Sequence, residues 1–454
     1  MRNLFAPRDM TEGAPWKSIV SFTIPLLIGN IAQQLYSTVD SIVVGHYVGD
    51  GALAAIGSAM PIVNMLLVLF MGISSGATIM VSQYFGARNR EKLSHTIGNC
   101  ITVTAICSVF LIIVATPFIK PMLVMLNTPS TIIEGCTSYL LISLWGIAGM
   151  AYYNILSGII RGMGDSVSAL IFLLVATAIN IVLDIWFVSF MGIAGVALAT
   201  VIAQCVSSVL CFIKLSKMIE HFDFGVKFLK PASDYVKTII KLGIPSGLTQ
   251  AIFSSAMIVV QSLTNCFGEM FIAANVVIMR VDGFAMMPNF SFGMALTTYA
   301  GQNVGAGKYD RVTKGAKQGT LMAVGCATVI TAILLLFGKY LMAVFTDTQA
   351  LVDKSYYLMK ILATGYIAMA VTQSLSGIMR GAGDTVTTMW ISLISTVAVR
   401  VPIAYGISFL TRTAELPYGN SECIQISLLT SWVIGAVITF VFYRIGRWKN
   451  KAVK

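Results

Sequence analysis

Charge is what this sequence has least of. Only 11% of its 454 residues are Asp, Glu, Lys or Arg, 57% are hydrophobic, and the mean hydropathy is +0.83. A soluble chain of this length needs a charged surface, and this one cannot cover it. Histidine is scarce, with three in all, and the eight cysteines fall singly, most of them inside apolar runs. With no Cys-x-x-Cys or Cys/His cluster, zinc chemistry, histidine-based catalysis and a disulfide framework have little to work with. No segment alternates apolar and polar residues at period two, which excludes a transmembrane barrel. Met1 to Trp16 is polar and broken by Pro7 and Pro15. It lacks the short apolar core and small-residue cleavage site of a secretory signal, so the first apolar run is expected to stay as a spanning helix.

What the chain has instead is apolar sequence in runs of about 20 residues, enough for a helix to cross a hydrocarbon core about 30 Å thick. Helices are expected near 16–40, 52–80, 96–116, 135–157, 167–189 and 193–214, then near 243–265, 271–300, 318–337, 357–379, 386–410 and 424–446. The expected fold class is therefore an all-α polytopic membrane protein with twelve transmembrane helices. An even number of spans puts both termini on one side, and the basic residues then sort. One side holds Arg2 through Lys17, Arg88 through Lys92, Arg161, Lys214 through Lys241, Lys308 through Lys317, Arg380 and the tail from Arg444. The other holds only Lys120, Lys339, Lys354, Lys360 and Arg412. The positive-inside rule makes both termini cytoplasmic and the plasma (inner) membrane the expected location. Topology thus accounts for the net charge of +11. Membrane lipid is an expected partner and nucleic acid is not.

The sequence is also a duplication. Residues 158–165 read GIIRGMGD and residues 377–384 read GIMRGAGD, an offset of 219. The same offset carries Gln83, Gly86 and Ala87 onto Gln302, Gly305 and Ala306, and an offset of 220 carries Ile24-Pro25 onto Ile244-Pro245. A repeat this long is half of a transporter-like membrane protein rather than a solenoid unit. Lys214 to Lys241 is the only long polar stretch between apolar runs and contains six lysines. It divides the chain into a six-helix lobe over 1–217, a cytoplasmic linker over 218–236 and a second six-helix lobe over 237–454. With an even number of spans in each lobe, the repeats share one orientation and are related by an axis along the membrane normal.

Each lobe carries the same two turns. In Gln83–Lys92 and Gln302–Arg311, glycine can end a helix and basic residues follow at the headgroups. In the other pair, Gly162 and Gly164 allow a tight reversal, and Asp165 can cap the next helix, as can Asp384. These turns read either as caps with a charge asymmetry or as a gate latch in which Arg161 or Arg380 bonds helix ends of the opposite lobe. The duplicated Gly-x-x-Arg-Gly-x-Gly-Asp and Gln-x-x-Gly-Ala turns resemble the multidrug and toxic compound extrusion (MATE) family. So do Pro25 early in the first helix and Asn180 four positions before Asp184. The resemblance spans essentially the whole chain and lies nearest the DinF-like branch. It implies two bundles facing a central cleft, and export of small organic compounds, cationic or amphipathic, against entry of H⁺ or Na⁺. No other cofactor is expected.

Ionisable groups within spans are costly and mark function or a partner. Asp40 and Asp184 are expected in the outer half of the first lobe, with Asn180 one turn from Asp184 and Thr200 at similar depth. Two carboxylates, an amide and a hydroxyl suit a hard monovalent cation, or can hold a proton. The corresponding second-lobe positions are Val260, Val399 and Ile403, so the site is expected in the first lobe alone. The alternative is that Asp40 caps a helix end and Asp184 bonds Asn180 locally. The resemblance places Asp40, Asn180, Asp184 and Thr200 on the cation site of DinF-like and archaeal members, with no metal expected beyond a possible Na⁺ there. NorM-type members carry acids in helices 7 and 10, where this chain has Gln250, Gln261 and Gln373.

Pro25 and its repeat partner Pro245 interrupt helix backbones and are candidate bend points. In the second lobe Arg280 and Asp282 lie two apart on one span and cannot share a face. An Asp282–Arg400 pair across helices is the economical way to neutralise both, and a substrate-facing acid is the other reading. Met257 and Met287, among several methionines and phenylalanines, suit either apolar substrates or packing. A flippase for a lipid-linked precursor is the alternative function. An intramembrane enzyme or a channel has less behind it, and two lobes suffice for a cleft in a monomer.

Overall fold

The computed structural model describes residues 7–47, 50–125 and 128–453, the side chains at 36–47, 50–55, 57, 58 and 61 excepted. Helices account for nearly all of it. In the first half these are α1 (Pro15–Tyr47), α2 (Asp50–Gly86), α3 (Arg90–Ala115), α4 (Ile119–Met125), α5 (Ile133–Trp145), α6 (Ile147–Gly162), α7 (Ser166–Met191) and α8 (Ile193–Ser216). After the short α9 (Val226–Leu229) come α10 (Ser233–Thr264), α11 (Glu269–Gly305), α12 (Tyr309–Ala343), α13 (Gln349–Ala363) and α14 (Gly365–Gly381). Then α15 (Thr385–Leu393) runs through a π-helical turn, Ile394–Arg400, into α16 (Val401–Leu410), and α17 (Cys423–Ile445) closes the fold.

Ten of the described helical runs are long and apolar enough to cross a membrane, and counting each of two bent pairs as one gives twelve. The bends, 49° between α5 and α6 and 46° between α13 and α14, fall at Gly146 and Gly365, which the repeat superposes. A Cβ at Gly146 would strike Val201 of α8, and one at Gly365 would strike Trp432 of α17. Each bend is therefore where a helix presses backbone-close against the last span of its own lobe.

The halves pack alike. α2 lies on α6 and α6 on α8, as α11 lies on α14 and α14 on α17, while α1 packs on α7 as α10 packs on α15. The two hydrophobic cores do not respect the sequence boundary, however. Met10, Ile19, Phe22 and Leu26 are buried in the core of the second lobe, and Ile239 and Leu242 of α10 in the core of the first. The lobes exchange the opening turns of α1 and α10. The linker is docked rather than loose. Thr102 Oγ1 donates to the Leu229 carbonyl at 2.7 Å, Ala232 N donates to Asn99 Oδ1 at 2.8 Å, and the His95 ring packs against Phe228 and Tyr235.

Candidate functional site

The face that carries both termini is sealed. A Cβ on Gly86 would meet the backbone of Gln302, and one on Gly305 the backbone of Gln83, so α2 and α11 touch main chain to main chain. Deeper in, Gly72 faces Gly243 reciprocally, and Gly76 faces Ile239 and Gly243. These glycines matter because any side chain would part the lobes. From Gly86 to Gly72 the contact runs about 20 Å along α2 at 1.5 Å per residue. Pro245 lies inside α10 between Gly243 and Gly247, beside this seam, and Pro25 lies inside α1. Near Pro25, Asn30 Nδ2 donates to Ser291 Oγ of α11 at 3.0 Å.

Two glutamines fasten the seam with near-twofold symmetry. Gln83 Nε2 donates to the Gly381 carbonyl at 2.8 Å, and Gln302 Nε2 to the Gly162 carbonyl at 3.2 Å. Each then accepts from a terminal segment: Gln302 Oε1 from Met10 N at 2.8 Å, Gln83 Oε1 from Val453 N at 2.7 Å. Arg311 and Asn303 hold the Met10 carbonyl as well. The arginines of the turns do not make the cross-lobe bonds that a latch through them requires. Arg161 Nη1 donates to Ser157 Oγ of its own helix at 3.2 Å, and Arg380 forms no hydrogen bond among the described residues. Glutamine amides reach the exposed carbonyls of the helix ends first, and they span the gap because glycine brings the backbones so close. Asp165 accepts from Ser168 N at 2.9 Å and pairs with Lys214 at 3.2 Å, while Asp384 accepts from Thr387 N at 3.4 Å.

In the first lobe Asn180 and Asp184 are each 1% exposed on α7, one turn apart. Asn180 Nδ2 donates to Thr200 Oγ1 of α8 at 3.4 Å. Asp184 lies eighteen residues past the start of α7, about 27 Å from the sealed face, and therefore in the far half. Asp40 is on α1, which packs on α7; its side chain lies outside the described residues. The structure thus brings Asn180 and Thr200 into contact, with Asp184 beside them.

The second lobe is arranged differently. Tyr366, fully buried, donates from its hydroxyl to Asp282 Oδ1 at 2.8 Å. The expected Asp282–Arg400 ion pair does not form. Asp282 is on α11 and Arg400 ends the π turn before α16, and the Asp282 carboxylate is bonded by Tyr366 instead. The two charges act on one another only through space. Arg280 is exposed, two positions from Asp282 on another face. Met287 is buried at 7%, whereas Met257 is 47% exposed, so the methionines do not form one cluster.

Residues 25–186 and 245–406 each match the MatE family, together well over half of the chain and offset by 220 positions. The chain belongs to the MatE family. Among its relatives, the probable multidrug resistance proteins YoeA and YpnP of Bacillus subtilis are 26% and 28% identical to it. The alignments cover 96% and 97% of this chain and 95% and 97% of theirs. Among solved structures, a MATE transporter in complex with MaL6 superposes with a TM-score of 0.90 at 23% identity, over 99% of this chain and 100% of that one. The outward-facing conformation of a multidrug resistance MATE family transporter gives 0.89 at 22%, over 100% and 99%. MatE membership makes this a membrane transporter with the two-lobe fold, and not an enzyme.

Three parts of this MatE site escaped the sequence reading: the role of Gln83 and Gln302, the Tyr366–Asp282 bond, and the π turn at Arg400. The glutamines had a signal, since both survive in the repeat. Tyr366 had the opposite signal, because its repeat partner is Ile147.

Proposed function

We propose that this protein exports small organic compounds, amphipathic or cationic, in exchange for H⁺ or Na⁺ by alternating access, as a DinF-like MatE transporter. The observation that carries the reading is a buried polar group confined to one lobe: Asp184 and Asn180 within α7, with Thr200 opposite, against Val399 and Ile403 in the second. Asp40 on α1 completes the proposed set. With the basic residues concentrated on the terminus-bearing face, that face is cytoplasmic by the positive-inside rule, and the sealed seam is then the closed inner gate. The chain works in the plasma (inner) membrane as a monomer, its lipid neighbours being the other partner. The multidrug names of its relatives favour a broad substrate range.

In this mechanism a proton or Na⁺ entering from outside removes one negative charge from the Asp40/Asp184 pair. Loss of that charge lets α1, α7 and α8 repack, and the exchanged turns of α1 and α10 pass the change to the seam. One elementary charge moving down the membrane potential contributes about 2.3 kcal/mol per 100 mV. That is enough to bias a two-state gate whose closed form rests on a few hydrogen bonds of about 1 kcal/mol each. The test is transport of rhodamine 123 in proteoliposomes with ΔpH and ΔNa⁺ imposed separately, wild type beside Asp40→Asn. Gradient-driven transport lost in the variant is expected, and the effective gradient names the ion. Ungated or undiminished transport by the variant would remove Asp40 from the mechanism. No gradient-driven transport at all would turn the reading to the flippase, to be pursued with lipid-linked substrates.

A further inference from the structure

The second lobe holds a guanidinium that the protein itself leaves unused. Among the described residues Arg400 makes no hydrogen bond and no ion pair within 4 Å, and its Nε is enclosed without a partner. A guanidinium stays charged at any physiological pH, and an uncompensated charge inside a membrane protein is costly. The acid whose field it feels, Asp282, is already engaged by the Tyr366 hydroxyl at 2.8 Å.

The surroundings are specific to this lobe. Arg400 closes a π-helical turn, an irregularity frequent at functional sites. The buried Tyr366 ring lies 5.6 Å from the Trp432 ring, and Asn289 donates to the Tyr366 carbonyl at 3.1 Å while its Oδ1 has no partner. The repeat positions of Arg400, Asp282, Tyr366 and Trp432 in the first lobe are Ile181, Val63, Ile147 and Ile213. The group is therefore not inherited scaffold common to both halves.

We propose that Arg400 is an acid-group receptor in the second lobe, taking the carboxylate of a substrate whose apolar or aromatic body lies beside it. The inference rests on the exporter reading above and extends it from cations to zwitterions and organic acids. A planar guanidinium matches a planar carboxylate through two parallel hydrogen bonds.

The matched probes are rhodamine 110, which carries a free carboxylate, and rhodamine 123, its methyl ester, followed as gradient-driven transport by wild type, Arg400→Gln and Arg400→Lys. Arg400→Gln is expected to slow sub-saturating rhodamine 110 transport by about tenfold or more, the weight of a charge-assisted pair, and to leave rhodamine 123 within about twofold. Arg400→Lys, keeping charge but not the fork, should fall between. Equal loss of both probes in Arg400→Gln would make Arg400 structural and overturn the proposal, with rhodamine 123 transport by Arg400→Lys reporting whether the lobe still folds. Wild type that moves rhodamine 123, while rhodamine 110 neither moves nor competes, would overturn it and leave the exporter standing. Wild type that moves neither probe under any gradient would count against the exporter reading itself.

Discussion

The two lobes agree where they meet and differ where they face away from the seal. At the terminus-bearing face, Gly86 answers Gly305, Gln83 answers Gln302, and each glutamine ties a turn of the opposite lobe to a chain terminus. In the far half the first lobe buries Asn180 and Asp184, and the second has a Tyr366–Asp282 bond and an Arg400 that pairs with none of the described residues. Duplication has kept the machinery of closure twice, since a seam between two lobes needs both sides to fit. Ligand sites carry no such constraint. Polar atoms proposed to hold a cation in one bundle would be uncompensated burial in the other.

The comparison breaks most severely if the first lobe is made to resemble the second. Asp184→Ile installs the second-lobe residue, and gradient-driven rhodamine 123 transport is expected to fall to background, while Ile403→Val, a change at the matching place, leaves it within about twofold. Equal effects of the two, measured at matched expression, would show that the asymmetry has no bearing on coupling.

Symmetry of the seam is tested next. Gly305→Val puts a side chain where the Gln83 carbonyl lies, and Gly86→Val does the same against Gln302. Both should hold the terminus-bearing face open, read as a longer distance between spin labels at the starts of α3 and α12. A change in only one of the two would break the symmetry argued here. A smaller effect is expected from Gln83→Ala and Gln302→Ala. Each removes two hydrogen bonds across the seam, worth about 1–3 kcal/mol to the closed form once the abandoned partners are counted. Faster hydrogen exchange is expected at residues 448–453 in the first variant and at 7–13 in the second, each confined to its own strap.

The smallest effect concerns a strap that only one terminus has in this form. Burial raises the Asp9 carboxyl, but hydrogen bonds from Thr11 and Arg88 outweigh it and leave the group below its ordinary value. A depressed carboxyl stabilises the docked segment above the unfolded pKa, and the contribution is lost as pH falls through the folded one. Exchange at residues 7–13 should therefore rise below about pH 4, with residues 448–453 unaffected by this group. The Arg88–Asp9 pair is 3.2 Å long and largely exposed, so Arg88→Ala should cost well under 1 kcal/mol.

Much of this was legible in the residues. The all-helical membrane fold and its repeat followed from apolar run length and from GIIRGMGD and GIMRGAGD, because a bilayer dictates helix length and a duplication leaves its turns behind. Asn180 and Asp184 were legible as one face because their spacing is a helical turn. The expected Asp282–Arg400 ion pair does not form, since neutralising two charges on paper leaves out the Tyr366 hydroxyl that holds Asp282. The broken fourth and tenth spans were not foreseen either: Gly146 and Gly365 look like any helical glycine until Val201 and Trp432 are placed against them.

By itself the sequence determined a helical membrane protein of two like halves, a polar set in the first and a surplus of basic groups on one face. These follow from local rules of hydropathy, periodicity and charge, which need no knowledge of neighbours. Only the tertiary structure decided that the opening turns of α1 and α10 change lobes, that glutamines rather than arginines fasten the seam, and that Arg400 stands without a partner among the described residues. Each depends on which backbones approach closely enough for a side chain to reach across, and that distance is set by the packing of helices far apart in the chain.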